Sequence, residues 1–277
     1  METSATRQSL YALGHSEEEL HRLSRQGQAF APFTRQLLQE AGIAPGMHIL
    51  DIGCGSGDVA LLAAELVGTS GHVLGVDREQ KAVDWATARV HALGLNNVKF
   101  LRADPADMPS GGEMFDAVIG RLVLMYYPNT VESLRKIVRH VRPGGLVVFQ
   151  EFDTANCRSM PVAPLFDRSV GLIKQALSAT GARIQLGLEL YSVYLDAGLP
   201  GPCLRMDALI GGGPDCPAYG LVANVVQSLL PVMEKLNIAT AAEVDIATLE
   251  QRMRDEVVAG KGVVLSPGLI GAWSRKP

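Results

Sequence analysis

A chain of 277 residues with 47% hydrophobic side chains is long enough to bury one substantial core and carry an added cap. Its 25 Lys+Arg against 29 Asp+Glu leave a formal charge of -4, and with no basic block to neutralise a run of phosphates, nucleic acid is not expected as a partner. Cys54, Cys157, Cys203 and Cys216 form no CxxC pair or zinc spacing, and no stretch offers about 18 uninterrupted apolar residues, so a cytoplasmic, metal-free protein without an export signal or membrane span is expected.

Ser16 followed by Glu19 reads as a capping box opening a helix to about residue 28, with Leu20, Leu23 and Gly27 on one face. A second helix is expected over 34–41, stopped by Gly42, with Pro45-Gly46 as the turn. From 47 onward, short apolar runs at 47–52, 72–76, 98–102, 115–120 and 146–152 alternate with helical patterns near 58–67, 80–93 and 130–141. That alternation is the mark of β-α-β units around a parallel sheet. Arg142-Pro143-Gly144-Gly145 closes the last of these helices. Further on, helices are expected near 164–179 and 188–197, a strand at 204–210, and a helical pair at 218–236 and 246–257. A last strand falls at 268–274, and Gly211-Gly212-Gly213-Pro214 reads as a flexible break.

The sharpest local signal is Asp51-Ile-Gly53-Cys-Gly55-Ser56-Gly57-Asp58, an apolar strand running into glycines and then a helix. Glycines there let the backbone approach a ligand. A dinucleotide loop follows G-x-G-x-x-G, whereas here the third glycine comes early and Asp58 takes the later position, which argues against NAD or FAD. An aspartate at the helix start would repel a pyrophosphate but not a sulfonium cation. Asp77, about twenty residues on at the end of the second strand, stands where an acid can accept both hydroxyls of an adenosine ribose. Asp104, after the third strand, could receive an adenine amino group, and Arg121 ends the fourth strand beside the switch point of the sheet.

Over about 47–153 this series resembles the class I S-adenosylmethionine-dependent methyltransferases, with the ubiquinone and menaquinone type as the nearest likeness. The resemblance implies an α/β, Rossmann-like fold with a mostly parallel seven-stranded sheet. It divides the chain into a helical cap (1–45), a cofactor-binding core (46–153) and a completing part (154–277), with about 212–260 inserted before the last strand. By motif, Gly53, Gly55, Ser56 and Gly57 would cradle the methionine part of S-adenosylmethionine. Asp77 would hold the ribose, Arg78 would flank the adenine, and Asp104 with Pro105 would meet its amino edge. Tyr11 and Gln26 would cap the methionine end. Arg121 would sit beside cofactor and acceptor, where the quinone enzymes commonly carry a small polar residue.

Arg121 is read either as gripping an acidic group of the acceptor or as neutralising Asp51 or Glu151, and Asp51 as a structural or electrostatic residue. His15 is the first candidate general base, with Glu151 behind it. The apolar face of 218–236 serves either core packing, a dimer contact or the roof of an acceptor pocket. The implied activity is methyl transfer, in small-molecule or secondary metabolism, to an O, N or C nucleophile of a small, apolar or natural-product-like acceptor, leaving S-adenosylhomocysteine. The competing readings are a cyclase or other non-methylating catalyst using the cofactor as a fixed charge, and a binding scaffold without turnover. A homo-oligomer stays open.

Overall fold

The computed structural model describes residues 17–104, 106–108 and 114–277. Helix α1 (Glu17–Ala41) lies over the edge of a β-α alternation: β1 (His48–Ile52), α2 (Asp58–Val67), β2 (His72–Asp77), α3 (Gln80–Ala92), β3 (Val98–Arg102), β4 (Phe115–Arg121), α4 (Thr130–Val138) and β5 (Val141–Asp153). The chain continues through β6 (Arg158–Met160), α5 (Pro164–Ala179), α6 (Leu186–Asp196), β7 (Cys203–Asp207), β8 (Ile210–Gly212), α7 (Ala218–Lys235), α8 (Ala241–Val244), α9 (Ile246–Ala259), β9 (Val263–Leu265) and β10 (Gly268–Arg275).

The main sheet has seven strands in the order β3-β2-β1-β4-β5-β10-β7. The pairs from β3 to β5 are parallel, and β10 runs antiparallel to both β5 and β7. This is the Rossmann-like sheet expected from the alternation, and its inner strands β1, β4 and β5 are largely buried on both faces as helix-flanked parallel strands must be, while the edge strands β3 and β7 are partly exposed. Successive residues serve opposite cores. Ile49, Ala117, Ile119 and Val148 pack with α1 and α2, whereas Leu50, Val118, Val147 and Phe149 join the cluster that includes α4, α6 and α7. The chain reverses direction of strand order between β1 and β4, opening a crevice at their C-terminal ends.

Three expectations are corrected. The two N-terminal helices are one, since α1 continues through Pro32, forgoing one ladder hydrogen bond while its apolar side stays packed on α2 and the sheet. The stretch expected as a strand to 210 ends at Asp207, and Ile210–Gly212, overlapping the supposed flexible break at Gly211 and Gly212, forms β8. β8 and β6 pair antiparallel with β9 to make a second, three-stranded sheet. Its strands are three residues each, too short for alternation to show in sequence.

Candidate functional site

A cavity of about 790 Å³ begins at the C-terminal edge of β1, β2 and β4 and runs under α7. Its floor is the glycine loop. Gly53, Gly55 and Gly57 have φ of 61°, 51° and 83°, left-handed values that residues with a Cβ rarely adopt. Gly53 also abuts the Val123 side chain, leaving no room for a Cβ, and a Cβ on Gly57 would lie 3.1 Å from both Ala86 and Phe100. Gly57 therefore faces α3 and β3, while Gly53, Gly55 and Ser56 face the cavity.

Asp77 ends β2 at the cavity wall. Its Oδ2 accepts the Gly55 N–H at 3.0 Å and its Oδ1 accepts the Glu79 N–H at 3.0 Å, so the carboxylate both shapes the loop and presents remaining lone pairs. Beside it, the Arg78 guanidinium sits 5.3 Å from the Tyr127 ring centroid. Asp104 is set back from the cavity. Its Oδ1 accepts the Ala106 N–H at 3.0 Å and the Tyr127 O–H at 3.2 Å, and its Oδ2 lies 3.7 Å from Arg78. It thereby holds the Arg78–Tyr127 wall rather than lining it.

The charge at the helix start is compensated. Asp58 accepts from Ser56 Oγ at 2.5 Å and from two Arg89 nitrogens at 3.1 Å each. Asp51 is buried, its Oδ2 has no hydrogen-bond partner, and desolvation pushes its pKa to about 8 despite the pull of Arg121. The carboxylates whose charges offset the desolvation of Arg121 are Asp58, which was not expected, and to a smaller extent Asp51, while Glu151 is not among them. Arg121 also donates at 2.9 Å to Thr34 Oγ1, which lies 2.7 Å from Gln150 Oε1, so β4, α1 and β5 are tied at one point.

Gln26 lies on the cavity face of α1 with Arg22, Leu23 and Phe30. Arg22 is held by Glu19 at 2.6 and 2.7 Å and donates to Gln26 Oε1 at 2.6 Å. Tyr11, His15 and Pro105 lie outside the described residues, as do 109–113. Glu151 does not reach the cavity wall, contrary to its expected use as a base. It is fully buried, its Oε1 accepts the N–H groups of Val123 and Leu124 at 3.0 and 2.7 Å, and burial raises its pKa to about 8. It holds the short helical turn Leu124–Tyr126 after β4.

The other end of the cavity is apolar. Phe166, Val170 and Leu177 of α5 face Leu221, Val222 and Val225 of α7, so α7 roofs the chamber with one stripe while Val226, Leu229 and Met233 pack into the core. All four cysteines are free, and among the described residues no cluster of three or more potential ligands could hold a metal. No described helix is long and apolar enough to cross a membrane.

A family profile described as a methyltransferase domain matches residues 43–182, half of the chain. This chain is a class I S-adenosylmethionine-dependent methyltransferase family member. Demethylmenaquinone methyltransferase of Staphylococcus aureus strain MRSA252 is 28% identical over 138 residues, which are 50% of this chain and 54% of that protein. The chain thus spans about half the length of the curated relatives it matches. The fold is shared with a Haemonchus contortus phosphoethanolamine N-methyltransferase solved with S-adenosyl-L-methionine (TM-score 0.53, 18% identity, 89% of this chain and 52% of that one). It is shared as well with the 4+2 cyclase SpnF (TM-score 0.53, 20% identity, 90% and 82%). The family's cofactor, S-adenosylmethionine, suits the residues present: a glycine floor with no Cβ, a carboxylate at the β2 end, and an orphaned buried carboxyl oxygen on Asp51.

Proposed function

We propose that this chain transfers the methyl group of S-adenosylmethionine to an O, N or C nucleophile of a small, largely apolar acceptor held under α7. The observation that carries this reading is the continuity of one cavity, from the glycine loop and Asp77 to the apolar stripes of α5 and α7. Gly53, Gly55 and Ser56 would take the methionine part, with Gln26 over it; Asp77 would accept the ribose hydroxyls, and Arg78 and Tyr127 would flank the adenine. Asp104 positions that wall through Tyr127.

The bound sulfonium supplies an electrophilic methyl carbon and a neutral thioether leaving group. The chain's share is alignment and dryness. Val123 and Gly53 would fix the floor, and Phe30 and α7 would exclude water, so that an acceptor nucleophile in the chamber is aligned with the methyl group that the sulfonium would supply. Holding the partners about 3 Å apart supplies several kcal/mol of the barrier. The proton of an O–H or N–H acceptor leaves to water at the cavity mouth.

Incubation with methyl-labelled S-adenosylmethionine and a panel of apolar hydroxy, amino and enolisable compounds tests this. A labelled product heavier by one methylene, with equimolar S-adenosylhomocysteine, is the expected result. The likeness of the fold to a cyclase supports a second reading, whose signature is an acceptor converted to an isomer of unchanged mass with the cofactor intact.

A further inference from the structure

The cavity-facing stripe of α5 contains one residue that does not belong to an apolar wall. Phe166, Val170, Lys174 and Leu177 follow one another at spacings of four, four and three, so Lys174 lies directly between Val170 and Leu177 on the face turned to the chamber, and it lines the cavity. It is half-buried, next to the buried Cys157, whose thiol feels its charge while burial raises that pKa to about 11. Among the described residues its ammonium group has no hydrogen bond or ion pair. The carboxylate whose charge acts on Cys157, Asp167, has both oxygens committed to Ser159, at 2.8 Å each, and Asp215 is exposed.

A lysine in an apolar wall loses hydration that an internal partner normally restores. Among the described residues no such partner is present. Resting on the reading of this chamber as the acceptor site, we propose that Lys174 pairs with a carboxylate carried by an otherwise apolar acceptor. A single ammonium among the apolar side chains of α5 matches a monoanion rather than a phosphate. The methyl would then be delivered to a second nucleophilic group of that acid, with Lys174 setting its register along the chamber.

Decanoate and decanol serve as probes of equal length and different charge. With the protein saturated by S-adenosylhomocysteine, calorimetric titration is expected to show decanoate binding at least about 10-fold tighter than decanol, a preference kept in Lys174→Arg and lost in Lys174→Met. S-adenosylhomocysteine affinity, unchanged across the three proteins, shows that each is folded. Equal affinity for the two probes in the wild type, binding of neither, or an undiminished preference in Lys174→Met overturns the assignment. Failure of the wild type to bind S-adenosylhomocysteine counts instead against the proposed function, and is read separately.

Discussion

Ser228 on α7 donates a 2.7 Å hydrogen bond to Glu19 Oε2 on α1, joining the helix that roofs the apolar end of the cavity to the helix beside the glycine loop. Glu19 and its partner Arg22 are both buried, so the bond is made to a charged acceptor out of water. The covering of the cavity is thereby shared between segments more than 200 residues apart in sequence.

Replacing Ser228 with Ala removes that link and leaves the Glu19–Arg22 pair. A bond to a charged group contributes about 1.5–3 kcal/mol, and the loss should fall on the first half of α1. Faster amide exchange over 19–28 with the central strands unchanged is expected, together with a raised KM for the acceptor. Uniform acceleration across the sheet would show that α1 and α7 do not open as a unit.

Gly27 packs against the Asp58 side chain, where an added Cβ would fall 2.6 Å from Asp58 Cγ. In an open helix interior Gly→Ala stabilises by about 1 kcal/mol, but here the methyl must push α1 off α2 or displace a carboxylate held by Arg89 and Ser56. Gly27→Ala should therefore destabilise by about 1–3 kcal/mol and weaken S-adenosylmethionine binding. A rise in Tm would mean that the helix approaches less closely than this contact requires.

The sheet and the cofactor floor were legible because each depends on local rules. Left-handed turns need glycines, here Gly53, Gly55 and Gly57, and buried parallel strands need apolar runs such as 117–120. Residues whose meaning comes from distant neighbours were not legible. Ser228, Thr34 and Gln150 are ordinary polar residues until α7, α1 and β5 meet, and Glu151 looks like a base at a strand end until its oxygen is seen closing on the Val123 and Leu124 amides. Lys174 could have been found, since it interrupts an apolar stripe at helical spacing.

Asp77→Ala should weaken S-adenosylmethionine by about 10- to 100-fold, the loss of one charge-assisted hydrogen bond at about 1.5–3 kcal/mol. Because the carboxylate also receives the Gly55 and Glu79 N–H groups, some loop disorder should accompany it. Asp77→Asn separates the two parts. It retains an acceptor oxygen for one of the two N–H groups but sets an NH2 against the other and lacks the charge, so it should lose affinity while keeping part of the loop's anchoring, with a smaller fall in Tm than Asp77→Ala. Unchanged affinity in both variants would remove Asp77 from the ribose site.

Two buried carboxyls set an unusual pH dependence of stability. Burial pushes both Asp51 and Glu151 to about 8, whereas in the unfolded chain each titrates near about 4. Between those values the folded state holds protons that the unfolded state has released, so stability falls as pH rises through this window, by up to about 1.4 kcal/mol per pH unit for each group. Chemical denaturation of the cofactor-free protein from pH 5 to 8 should show that decline, less steep in Asp51→Asn and in Glu151→Gln. Gln at 151 keeps an acceptor for the Val123 and Leu124 amides, so its effect should appear in the slope more than at pH 5. Bound S-adenosylmethionine should flatten the Asp51 part alone, because a nearby cation favours the ionised carboxylate, and its affinity should rise toward pH 8 in the wild type but not in Asp51→Asn. Parallel pH profiles in wild type and both variants would place the responsible groups elsewhere.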